Sequence, residues 1–122
     1  MVVTVKGKAY NVLPLPIKKQ WYDMIRSGEK KEEYRKLGNY YRTRFHSIGL
    51  FTKGERHNLL LYKATDSVTA AEEGYIMFRN GYSGNSPSFI ARCTLEIGHG
   101  KPEWGAEKGE IYYILNIKEI IA

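Results

Sequence analysis

Apolar residues recur along the chain with two different periods, and these divide it into an N-terminal part with one clear helix and a C-terminal part built of strands. Residues 12–15 form a short apolar strand closed by Pro14 and Pro16, and Pro16 suits the first turn of a helix, where its missing donor costs nothing. Over 17–27 the apolar positions Ile17, Trp21, Met24 and Ile25 share one face of a 3.6-residue period, Lys18, Lys19, Asp23 and Arg26 take the solvent side, and Gly28 supplies the stop. Tyr41 and Phe45 at i, i+4 predict a second short helix over 39–45, with Arg42 and Arg44 exposed. Residues 75–79 read as a buried strand, and NGYSGNSP at 80–87 is dense in turn formers. Phe89, Ala91, Cys93, Leu95 and Ile97 alternate with more polar neighbours, as do Ile111, Tyr113, Leu115 and Ile117 after a glycine-punctuated loop over 98–109. The expected fold is α+β: a small β-barrel without long open edges, one N-terminal amphipathic helix and one or two short helices.

Two stretches resist this reading. Residues 47–74 show only an apolar run at 59–62 and a candidate turn or two of helix at 66–73. Residues 28–36, GEKKEEYRK, are too polar for a core strand, with Tyr34 their single aromatic and no aliphatic residue. If that segment is extended, Lys30, Glu32 and Tyr34 face one way and Lys31, Glu33 and Arg35 the other, so Glu33 and Arg35 are expected to pair. A surface ion pair worth about 0 to 1 kcal/mol is the plain alternative.

Length and charge narrow the classes. The 122 residues suit one domain, no apolar run approaches the roughly 18 residues that span a bilayer, and no signal peptide is visible. The expectation is a single-domain cytoplasmic protein without membrane contact, monomeric by default. Cys93 is the sole cysteine, which excludes an intrachain disulfide and a cysteine zinc cluster and marks it as a core thiol. His46, His57 and His99 lack metal-ligand spacing, there is no GxSxG nucleophile, and the glycines near residue 100 do not lead from a strand into a helix. Neither a metal nor a cofactor is expected. The charge is uneven: residues 1–63 carry 14 Lys or Arg against 5 Asp or Glu, and residues 64–122 carry 5 against 8. A basic half rich in tyrosine suits a nucleic-acid partner through phosphate attraction and base stacking.

The polar segment carries a resemblance. SGEKKEEYR at 27–35 resembles the GxKxxExR signature of the ASCH domain (activating signal cointegrator homology), a PUA-like β-barrel, with Gly28, Lys30, Glu33 and Arg35 matching every fixed position. LPLPIKKQWYDMI at 13–25 is similar to that family's strand and helix, and FRNGYSGNSPSF at 78–89 and WGAEKGEIYYILNI at 104–117 resemble later blocks of its bacterial and phage-like branch. Residues 47–74 then stand as an insertion. The resemblance implies an RNA- or nucleotide-binding module with the signature lining a cleft. In it Lys30 and Arg35 meet phosphate or a carbonyl, Glu33 accepts from a base amino group or orients Arg35, and Tyr82 or Trp104 stacks, with Arg42 and Ser86 as further ligand contacts. Tyr82 and Trp104 have a core reading beside this one, and Ser86 has a plain turn reading.

The same resemblance offers an enzyme. Some members are acetylcytidine amidohydrolases whose signature lysine works with a threonine three residues on, but that position here is Glu33, and a carboxylate cannot replace the hydroxyl in that acyl transfer. Other members resemble ribonucleases, for which Lys30 and Glu33 are the acid/base candidates. A protein-interaction module using the 47–74 stretch is a third class, without specific support. If Lys30 lines an open cleft, Lys30→Ala is expected to cost within about 0.5 kcal/mol of stability.

Overall fold

A computed structural model describes residues 1–55 and 73–122. In chain order these form β1 (Val2–Val5), β2 (Lys8–Ile17), α1 (Lys19–Arg26), β3 (Glu32–Lys36), α2 (Asn39–Ser47), β4 (Gly74–Asn80), β5 (Ser88–His99), a 3₁₀ turn (Pro102–Trp104) and β6 (Ile111–Ile120). The strands make one six-stranded mixed sheet in the order β1-β2-β4-β5-β6-β3. Every pairing is antiparallel except β2 with β4. A parallel pair needs a long crossover, and here it contains α1, β3 and α2, the segment that bears the signature.

The alternating strands form as the pattern predicts, except that Ile97 and Ile111, at the paired ends of the two strands, are exposed. Phe89, Ala91, Cys93 and Leu95 of β5 and Tyr113 and Leu115 of β6 enter the main core with Tyr22 and Ile25 of α1 and Phe45 of α2. Ile90 points to the other face and packs with Val12 and Met77. Burial pushes the Cys93 thiol well above its usual range, which fits a packed thiol rather than a nucleophile.

Four expectations change. The prolines do not close a strand: β2 runs through both of them to Ile17, and α1 begins two residues later than the period suggests. Leu13, Leu15 and Ile17 alternate with Pro14 and Pro16, and the Pro16 carbonyl points away from β4 to accept from Arg35 Nη2 at 3.1 Å. The missing proline N–H groups therefore face the edge that β4 does not use, where they cost no ladder bond. Secondly, the sheet does not close into a barrel. Among the described residues no ladder joins β3 to β2 or β1; Pro14 and Pro16 offer no donor on that edge of β2, and the Pro16 carbonyl there is taken by the Arg35 side chain.

Thirdly, β1 and the first half of β2 form a hairpin that the apolar pattern misses. Its turn is Lys6-Gly7, both at positive φ (49° and 81°), the geometry of a primed hairpin turn without the usual Asn or Asp to announce it. Lastly, the polar stretch is a strand after all. β3 pairs with β6 in the register Glu33↔Leu115 and Arg35↔Tyr113, so both charged residues share the core-facing side with Leu115 and Tyr113. Tyr34, opposite Ile114, covers the other side under Trp104 and Ala106. Of the 47–74 stretch, the 59–62 run and nearly all of 66–73 lie outside the described residues. Among the described residues no helix is long and apolar enough to cross a membrane.

Candidate functional site

The end of α1 sets the site. Ser27 N–H bonds the Asp23 carbonyl at 3.0 Å, Gly28 turns at φ 85°, and Lys30 N–H then reaches back to the Met24 carbonyl at 2.9 Å. A left-handed residue in this place is what lets the last helical carbonyls find donors. The turn tucks Lys30 beneath α1, with its Nζ 4.7 Å from the Trp21 ring centre and 2.5 Å from Glu33 Oε1. The other carboxylate oxygen of Glu33 lies 2.9 Å from Arg35 Nη1. That guanidinium also donates to the Tyr34 and Pro16 carbonyls, each at 3.1 Å.

Glu33 and Arg35 thus pair as period 2 predicts. Lys30 joins them from a turn outside the strand, where that period does not hold, so its expected place on the opposite face is corrected. The result is a Lys30–Glu33–Arg35 triad of net charge +1, with Lys30 1% and Glu33 3% exposed. Burial lowers the Lys30 pKa, and attraction to Glu33 offsets only part of that. The surface-pair alternative is excluded by this burial. The premise of a cheap Lys30→Ala goes with it, because Lys30 is fully buried and does not line the open cleft.

A cleft of about 360 Å³ opens over the triad. Glu33 and Arg35 form its floor, Trp21 a wall, and Lys18, Lys19, Asn80, Gly81 and Tyr82 its rim. Tyr82 is 90% exposed, so its core reading falls away. Lys30 does not line this cleft. It borders a smaller depression of about 250 Å³ with Gly28, Lys31 and Ile117 on the far side of the turn.

The remaining candidates sit apart. Trp104 packs against the Tyr34, Ala106 and Ile114 cluster under Lys101, whose Nζ is 4.4 Å from its ring centre, and does not line the cleft. Ser86 stands behind the rim, its hydroxyl near Gly81 and its N–H bonded to the Ser83 carbonyl at 3.0 Å. Arg42 is exposed on α2 and meets Glu55 at 3.5 Å. Trp21 is the lining residue that sequence reasoning assigned to the helix core. It is half-buried against the main core, while the fully buried aromatic of α1 is its neighbour Tyr22. Among the described residues no group of His, Cys, Asp or Glu side chains converges as metal ligands.

Trp21 is braced from behind by Gly105, where an added Cβ would lie 2.9 Å from the indole at a backbone φ of 98°. Gly105→Ala is therefore expected to cost about 1–3 kcal/mol through strain and overpacking. In a Trp104→Phe background, where Trp21 is the sole tryptophan, it should also shift the indole emission, and an unmoved spectrum with unchanged urea unfolding would show that the brace is loose.

No protein-family model matches the chain, and neither a curated protein nor a solved structure matches it.

Proposed function

We propose that this chain is an ASCH-type, PUA-like domain that binds single-stranded RNA or a nucleotide, taking one base into the cleft above Glu33 and Arg35. The observation that supports it most is a buried carboxylate, clamped between two cations, on the floor of an open cleft whose rim carries an exposed tyrosine. Continuum and mutational experience says that a buried ionic group is a poor way to stabilise a fold, so this triad reads as a group kept for recognition. Each Glu33 oxygen has one cation and a lone pair left over, which suits a base amino donor. The net positive floor and the rim lysines Lys18 and Lys19 suit the phosphate, and the Tyr82 ring suits the base face.

A hydrolase using Lys30 and Glu33 as acid and base is the second reading, favoured by the lowered Lys30 pKa. It ranks below binding because Lys30 is sealed from the cleft.

Titration of a labelled single-stranded RNA at about 50 and 200 mM salt tests the proposal, with affinity expected to fall on the order of tenfold as counterion release weakens. Tyr82→Ala is expected to weaken binding about 5- to 50-fold, the worth of one base–ring stack, with the melting temperature unchanged because the residue is 90% exposed. Absent binding, or binding indifferent to salt and to Tyr82, rejects the reading.

A further inference from the structure

Beyond the cleft, the cationic and aromatic groups continue in one direction. The Arg35 guanidinium carbon lies 5.7 Å from the Tyr41 ring centre, Tyr41 meets Tyr40 edge-on at 4.9 Å, and the Arg44 guanidinium carbon lies 3.4 Å over the Tyr40 ring. Tyr41 is tied inward by stacking on Phe45. Tyr40 belongs to no core cluster and is 61% exposed, so its stack with Arg44 holds a flat surface open to solvent instead of filling a core.

The charge along this path has one sign. From Tyr34 to Gly54 the chain carries five Lys or Arg and no Asp or Glu. An ordinary solvated helix mixes opposite charges at i, i+4. α2 instead presents Arg42 and Arg44 with no acidic residue of its own; among the described residues Arg42 and His46 share the single carboxylate of Glu55, and Arg44 meets none. Concentrated positive charge interleaved with exposed rings is the surface that fits an anionic chain of planar groups.

Resting on the binding reading above, we infer that Tyr40 and Arg44 form a second stacking platform next to the cleft, so that the ligand is a single strand of several nucleotides that runs from the cleft across α2. A free nucleotide fills the cleft alone. A strand places a neighbouring base against Tyr40 and its phosphates beside Lys36, Arg42 and Arg44.

The intact chain titrated with uridine monophosphate and with an eight-nucleotide single-stranded RNA provides the test. The RNA is expected to bind at least tenfold tighter, and Tyr40→Ala with Arg44→Gln to weaken the RNA about tenfold while leaving the mononucleotide unchanged. Arg44→Lys, which keeps the charge and loses the planar stack, is expected to give an intermediate loss and guards against a folding defect in the double variant. Equal effects on both ligands, or none on the RNA while Tyr82→Ala still weakens it, overturn the platform and leave the cleft standing. A wild-type chain that binds neither ligand overturns both. Displacement of the RNA by polyglutamate at equal charge concentration shows a bare electrostatic surface and also overturns the platform.

Discussion

Glu33→Gln is expected to lower the unfolding free energy by about 3–5 kcal/mol, although the substitution removes a charge and almost no volume. The carboxylate neutralises two cations at once, Lys30 at 2.5 Å and Arg35 at 2.9 Å. With an amide there, the buried group goes from net +1 to net +2 and two like charges face each other with little water. For a domain of this size the melting temperature should fall by roughly 10–20 °C. The deficit should also depend on pH in a definite direction. Burial already lowers the Lys30 pKa, and Glu33 is the group that raises it most, so the variant's folded state releases that proton at a still lower pH. An unfolded lysine holds its proton to about pH 10.4. Between those two values the unfolded chain binds more protons and the variant's stability rises with pH; the wild type rises equally only above its own, higher folded value, so the deficit measured by urea unfolding narrows as the pH climbs from the variant's folded value to the wild type's. A loss below about 1 kcal/mol at pH 7, or no narrowing, would mean that water reaches the triad.

Which parts of this structure were legible in the residues follows from where each element lies. β5 and β6 were plain because the residues facing the main core, Phe89, Ala91, Cys93 and Leu95 and then Tyr113 and Leu115, recur at every second position, although Ile90 and Ile114 are buried on the other face as well. The second helix was plain from Tyr41 and Phe45. β2 was cut short because proline normally ends a strand, and only its position beside an edge with no ladder makes Pro14 and Pro16 harmless. β3 was hidden for the opposite reason. Its inward residues are Glu33 and Arg35, so a pattern search for apolar alternation meets charges where it expects a core. The pairing of those two charges was nonetheless readable from period 2. The third member, Lys30, was not, since a left-handed Gly28 and a bond to the Met24 carbonyl place it. Exposure separated the aromatics in a way that composition does not: Tyr82 stands on a rim, Trp104 in a small cluster, and Trp21 serves both the helix and the cleft wall.

At Lys30 itself, volume and charge are expected to separate. Lys30→Ala removes a fully buried four-carbon stem from beneath Trp21 and frees one oxygen of Glu33, so the cavity and the broken pair together should cost about 3–5 kcal/mol. Lys30→Met fills most of the same space, and its sulfur keeps a favourable contact with the indole. It also discards a charge that the site holds at a cost, as the lowered pKa records, while Arg35 still neutralises Glu33. Methionine should therefore recover at least about half of the stability lost in the alanine variant. Because the ammonium is sealed from the cleft, Lys30→Met should bind RNA within about threefold of wild type, on the scale of a charge that touches no phosphate. A hydrolase gives a different pattern: wild-type chain cleaves the RNA, and both variants bind without cleaving. Gel analysis of the RNA recovered from the titrations reads that out directly. Intact RNA from every variant, with Lys30→Met folded and binding, makes Lys30 a packing residue beneath Trp21 with no part in cleavage or ligand contact. A folded Lys30→Met that has lost binding more than about tenfold would put the amine in contact with the ligand, and the turn at Gly28 would then have to open for it.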